Sequence, residues 1–278
     1  MEPVTAIATK VAEGALTEGA KEVANGFLRT VLHGPGEALS GLWADKVNER
    51  RHANLIKIAI RAKERLDAAG ISPKAVPLSI IHPALEAASL EEDPDLQDTW
   101  ANLLANSADP RMHNAIPPSF PAILRELTAR DVKFLDAFFT EVCNKRYRPP
   151  GIDELEDIKL DYEDLCTVFS KAGLARYPRL RPLTYADWEN NREELSADMR
   201  DLGLCIDTAK RHGLLAEVVD MSAKKGDAEV RIQGVILRLP EKQYAINTNY
   251  SVSYLGAQFI GACRIPNPLA TQEDEIKS

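Results

Sequence analysis

Cysteine is scarce in this chain, and the few present are far apart. Cys143, Cys166, Cys205 and Cys263 form no CxxC pair. Zinc sites usually draw on closely spaced thiolate and imidazole ligands, so these four read instead as buried or idle thiols in a reducing compartment. Histidine adds no metal signal, because His33, His52, His82, His113 and His212 share no i, i+4 spacing. No stretch approaches the roughly 20 consecutive apolar residues that a membrane-spanning helix needs. The opening MEPVTAIATKVAEGALTEGAKEV carries acids early and has no continuous apolar core, so it does not read as a signal peptide. The expected location is the cytoplasm, with peripheral contact at the inner membrane as a variant. Positive charge is also in deficit, with 34 Lys and Arg against 42 Asp and Glu and a net charge of −8. That balance argues against a protein whose main task is coating nucleic acid. A GxSxG elbow, HExxH, a phosphate-binding GxxxxGK loop and a GxGxxG turn after a strand are all missing, so the sequence points to no catalytic residue, metal or cofactor.

What is present is a 278-residue chain of ordinary globular composition, 45% hydrophobic and 27% charged, patterned mostly at helical spacing. Residues 3 to 32 are rich in Ala and Gly. Val4, Ile7, Val11, Leu16, Val23, Phe27 and Val31 mark a rough helical face. Glycine weakens a helix interior, so this segment needs a surface to pack on, either its own domain or a membrane or second subunit. Gly34-Pro35-Gly36 stops it. From Glu37 to Ala69 the apolar residues recur every three or four positions, predicting one long amphipathic helix. Arg50, Arg51, Lys57, Arg61, Lys63 and Arg65 lie on its polar face, expected to be solvated, and Gly70 is placed to cap it.

The most densely patterned stretch is Pro77 to Ser107. It reads as two helices broken at Asp93-Pro94, with Asp93 as N-cap and Pro94 opening the second helix. Ile80, Ile81, Leu85 and Ala88 form one stripe and Leu96, Trp100, Leu103 and Leu104 the next. Trp100, Asp93, Pro94 and Leu103 are the expected structural keystone, with Trp100 buried against the long helix and Glu91, Glu92 and Asp95 at the surface. A short helix from Ser119 to Leu127 follows, then one from Asp131 to Asn144, with Thr128 and Asp131 resembling a capping box.

Residues 145 to 160 turn from basic to acidic around Pro149-Pro150-Gly151 and read as a linker. Beyond it come helices from Asp161 to Ala172 and from Glu193 to His212. Arg176, Arg179 and Arg181, interleaved with Tyr177 and Tyr185, are candidate nucleic-acid or anion contacts. Leu214 to Asp220 and Val230 to Leu239 have strand character, with KKGD as the turn. Residues 244 to 252 are either a third strand or the lead into a last helix from Ser253 to Cys263. Helix, hairpin and short helix in that order predict a winged-helix-like module. Its 19 Lys and Arg against 22 Asp and Glu between Asp131 and Arg264 do not favour DNA binding through it.

Several blocks resemble a known family: Gly36 and Gly41, Arg50 and Asn54 in the long helix, LEAASLEEDPDLQDTWANLLA, and FPAILRELTARD. The closing RHGLL…YSVSYLGAQFIGAC is similar to the family's last section, where Ser253-Tyr254-Leu255-Gly256 stands in place of the usual LTxLG. On these the chain resembles the DUF4393 family, abortive infection alpha. The resemblance implies bacterial defence against phage and carries no assigned catalytic residues.

Together these readings predict a mainly α protein in four parts. An N-terminal helix and turn occupy residues 1–36, a helical domain 37–127, a winged-helix-like α+β module 128–264, and a disordered tail 265–278. The expected function is non-enzymatic phage defence through a protein partner, self-association or membrane contact by residues 1–33. The alternatives are a winged-helix nucleic-acid-binding regulator and a hydrolase or nuclease with a noncontiguous carboxylate site.

Overall fold

The computed structural model describes residues 17–32, 46–112, 116–145, 157–176, 191–232 and 235–266. The Gly34-Pro35-Gly36 turn, the linker around residues 146–156, Arg179, Arg181 and the tail from residue 267 lie outside them. The protein is mainly helical, and its described residues hold nine helices and one two-stranded sheet. It forms two compact units. Met1–Val132 and Phe259–Ser278 make the first, and Lys133–Gln258 the second. The sequence places the whole closing helix with the C-terminal module; the structure gives its end, from Phe259 onward, to the first unit.

The first unit contains α1 (Glu18–Leu32), α2 (Lys46–Ala68), α3 (Leu78–Ser89), α4 (Pro94–Ala108) and α5 (Ser119–Glu126), together with the first turn of α6 (Ala129–Asn144). Helix α2 is its axis, packed against α1, α3 and α4. A stripe facing one neighbour would leave the opposite side wet. Here Leu55, Ile56, Ile58, Ala59, Ile60, Ala62 and Leu66 are all 2% exposed or less, because three helices surround α2. Burying a side chain of this size contributes about 1.5–3 kcal/mol, so this one helix anchors the unit. The apolar side of α1, Ala20, Ala24, Phe27, Leu28 and Val31, is buried inside the unit. Helix α2 ends where expected: Gly70 has φ of 68° and the Ile71 amide donates to the Leu66 carbonyl at 2.8 Å.

Sequence signals also set the later boundaries. At α6 the Asp131 carboxylate accepts from the Thr128 amide at 2.9 Å while the Asp131 amide donates to the Thr128 hydroxyl at 3.3 Å, the reciprocal pair of a capping box. Phe120 of α5 meets Phe259 edge to face, with ring centroids 5.3 Å apart.

The second unit runs from the body of α6 through α7 (Tyr162–Lys171), α8 (Arg192–Arg211), strands β1 (Leu215–Ile232) and β2 (Val235–Val252), and the start of α9 (Tyr254–Ala262). Phe134, Phe138, Phe169, Leu165, Leu202 and Val252 are fully or almost fully buried in its core. Leu160 forms a two-way backbone bridge with Tyr250, both bonds at 2.8 Å, just before α7.

The hairpin differs from the sequence expectation. Strand β1 runs straight through Lys224-Lys225-Gly226-Asp227, pairing Gly226 with Glu241 and Asp227 with Pro240, and the pairing continues to Ile232 and Val235. Residues 244 to 252 are therefore the second half of β2, not a third strand. The register is closed at the base, where Leu215 pairs with Val252. There the Ser253 amide donates to the Leu214 carbonyl at 3.1 Å, and a Cβ on Gly256 would lie 2.0 Å from that same carbonyl oxygen. A turn at KKGD would move Leu215 away from Val252 and break this join, so the tertiary contact overrides the local turn signal.

Candidate functional site

Within the first unit, α2 carries a row of polar residues at helical spacing: Arg50, Asn54, Lys57, Arg61 and Arg65. Steps of three and four place all five on one side of the helix. The sequence predicts a solvated face; the structure sets this row beside α4 and the turn that precedes it. Arg65 is only 16% exposed, with Nη1 donating to the Asp98 carbonyl at 2.7 Å and Nη2 to the Asp98 carboxylate at 2.8 Å. Burial draws the Arg65 guanidinium below its ordinary value, and the Asp98 carboxylate opposes that shift. Glu64 alongside is pushed up by burial, against the pull of Arg65 and Arg61.

Deeper in, the row meets a buried amide network. The Gln97 side chain, 4% exposed, donates from Nε2 to the Glu91 carbonyl at 2.8 Å and to Asn54 Oδ1 at 3.3 Å. Asn54, 9% exposed, donates to the Ser89 carbonyl at 3.2 Å, and Arg51 Nε reaches the Ser89 hydroxyl at 2.9 Å. Asn54, Arg51 and Gln97 thus satisfy the end of α3 and the turn after it, groups that burial would otherwise leave unpaired.

Above this floor lies a groove of about 480 Å³, lined by Arg50, Ala53, Asn54, Lys57, Arg61, Glu92, Pro94 and Gln97. Its volume suits a small molecule. Arg61 lies 3.4 Å from the Asp98 carboxylate, which Arg65 holds more closely. Arg50 and Lys57 have no carboxylate within ion-pair distance among the described residues. Among the described residues Glu92 is the single acid in the lining. The groove is therefore cationic, although the whole chain has a net charge of −8.

The expected keystone residues lie on α4 and at its start. Trp100 is 1% exposed and Leu103 fully buried. Asp93 caps α4, its carboxylate accepting from the Asp95 and Leu96 amides at 2.9 and 3.1 Å, and Pro94 is the first helical residue. Glu92 and Asp95 are exposed and Glu91 is half-buried, its carboxylate accepting from the Asp93 amide at 2.9 Å. Arg176 lies in the second unit, bound to the fully buried Asp198 carboxylate at 3.2 Å and to Asp201 at 3.0 Å. Its charge is matched twice within its own unit. Among the described residues no group of three or more His, Cys, Asp or Glu side chains could hold a metal ion, and no helix is long and apolar enough to cross a membrane.

Two polar residues have roles that sequence reasoning missed. Asn102 donates to the Cys263 carbonyl at 2.8 Å, and Asn106 to the Ala262 and Arg264 carbonyls at 2.9 and 2.6 Å. The asparagines, i and i+4 on α4, cap the C-terminal end of α9. The carbonyls they hold are orphans at a helix end. Cys263 is half-buried there, and desolvation of its thiol by the surrounding helices pushes it far above the ordinary range. The missed signal was an i, i+4 amide pair between the apolar positions of α4.

A search against known families finds that the family described as abortive infection alpha matches residues 50–263. No curated protein matches the chain, and no solved structure matches it.

Proposed function

Because the chain belongs to the abortive infection alpha family, we propose that it is a bacterial phage-defence protein that halts infection by binding another protein rather than by catalysis. The family membership carries this reading. On the surface, Met199 and Leu204 on α8 are 45% and 60% exposed, and the more exposed Leu204 is the position at which such a contact is tested. The apolar stripe of α1 is already spent inside the first unit, so membrane contact by residues 1–33 would fall to residues 1–16. A winged-helix role for the second unit fits its order of helix, bridge, two helices and hairpin. The matched charge of Arg176 gives nucleic acid little to hold.

Phage plating on cells with and without this protein tests the defence reading; equal plaque counts over a panel of phages would overturn it. Removal of residues 1–16 keeps the whole of α1 (Glu18–Leu32) in the chain. Defence that survives this deletion removes the membrane variant, and defence lost on Leu204→Asp with the fold intact supports the protein-contact reading.

A further inference from the structure

We propose that the groove on α2 binds a small molecule carrying at least two phosphoryl groups. Four observations lead there. The first is charge: Arg50, Lys57 and Arg61 line the cavity against Glu92 alone, in a chain whose net charge is −8. A cationic concavity on an acidic protein concentrates anions locally. The second is availability. Neither Arg50 nor Lys57 has a carboxylate partner among the described residues, and Arg61 shares Asp98 with the closer Arg65. The third is spacing. At a rise of about 1.5 Å per residue, Arg50 and Lys57 are about 10 Å apart along the helix and Lys57 and Arg61 about 6 Å. One phosphate cannot meet all three, and two or more in one ligand can. The guanidinium fork suits phosphoryl oxygens, and the lysine adds a compact charge.

The fourth is rigidity. The groove's floor is the buried Asn54–Gln97 network, whose side chains are fixed to the Ser89 and Glu91 carbonyls. A preorganised floor lowers the ordering cost of binding. Glu92 opposes the phosphoryl groups and is placed to accept a hydrogen bond from a hydroxyl or amine elsewhere on the ligand. That favours a nucleotide over bare inorganic polyphosphate.

The test is calorimetric titration of the full-length protein with inorganic triphosphate, with ATP, and with phosphatidylcholine vesicles containing phosphatidylglycerol. The expected result is binding of both soluble ligands, with ATP the tighter. Arg50→Ala and Lys57→Ala should each weaken ATP binding by about tenfold, the effect of removing one charge-assisted contact. Among the described residues neither has an ion pair to lose, so thermal unfolding should match the parent protein. Glu92→Gln should strengthen triphosphate binding and narrow the preference for ATP. Absence of binding to both soluble ligands, binding unaffected by Arg50→Ala and Lys57→Ala together, or binding to vesicles alone would each overturn the proposal. Binding is read on purified protein and defence is read in cells, so either proposal can fail without the other.

Discussion

At the residue scale, burial and hydrogen-bond geometry rank the side chains of α4. Trp100 is 1% exposed, and Trp100→Ala should cost about 3–5 kcal/mol of unfolding free energy, the range for removing a large buried aromatic. Urea denaturation checks this, and a loss below about 1 kcal/mol would mean that the residue is not part of a tightly packed core. Asp93→Ala removes both bonds of a helix cap and should cost about 1 kcal/mol in the same measurement. Trp100 and Leu103 were legible because apolar residues at spacings of three and four have one common explanation. Asn102 and Asn106 were not. A polar residue between apolar ones reads as solvated unless its partner is known, and these partners are 156 to 161 positions away.

At the element scale, helix ends were legible and strand register was not. Caps such as Asp93, Thr128 with Asp131, and Gly70 act on backbone groups within a few residues, so the signal and its effect lie together. The hairpin register depends instead on the base, where Gly256 at the start of α9 sits against the Leu214 carbonyl. Ser253 supplies the hydroxyl that accepts from the Gly256 amide at 2.9 Å. Gly256→Ala would bring a Cβ to 2.0 Å of the Leu214 oxygen. It should displace α9 and lower the melting temperature, whereas Gly203→Ala on α8, where a Cβ meets nothing within 4 Å, should not.

The α1–α2 contact carries a pH response. Burial, aided by the nearby charge of Lys21, holds His52 below its ordinary value of 6.5. A depressed folded value means that the unfolded chain takes up the proton more readily. Stability from this site is therefore present above pH 6.5 and lost as pH falls through the folded value. His52→Gln should flatten the acid side of the stability curve, as followed by thermal unfolding across pH. A parent protein whose melting temperature does not fall on acidification would contradict this.

At the scale of the whole molecule, the chain returns at its end to the unit in which it began. Phe259, Ile260 and Ala262 are 3% exposed or less, and the carbonyls of Ala262, Cys263 and Arg264 are held by α4. Truncation after Pro266 keeps these contacts and the buried Pro266, and should leave the melting temperature close to that of the full chain. Truncation after Gln258 removes a buried Phe and Ile and all three asparagine-to-carbonyl contacts. It should cost more than the 3–5 kcal/mol typical of a buried aromatic alone, as a thermal melt would register.

By itself the sequence determined the helical class, most helix boundaries, the apolar core of α2 to α4, and the resemblance that the family match later supported. All of these rest on local periodicity, on caps acting within a turn, or on blocks of adjacent residues. Tertiary structure decided the rest: the hairpin register, the return of α9 to the first unit, and the cationic groove over a buried amide floor. In each case the deciding partner lies on another element, so neighbouring residues carry no trace of it. Arg50, Lys57 and Arg61 look like any charged helix face until the turn before α4 closes over them with a single acid.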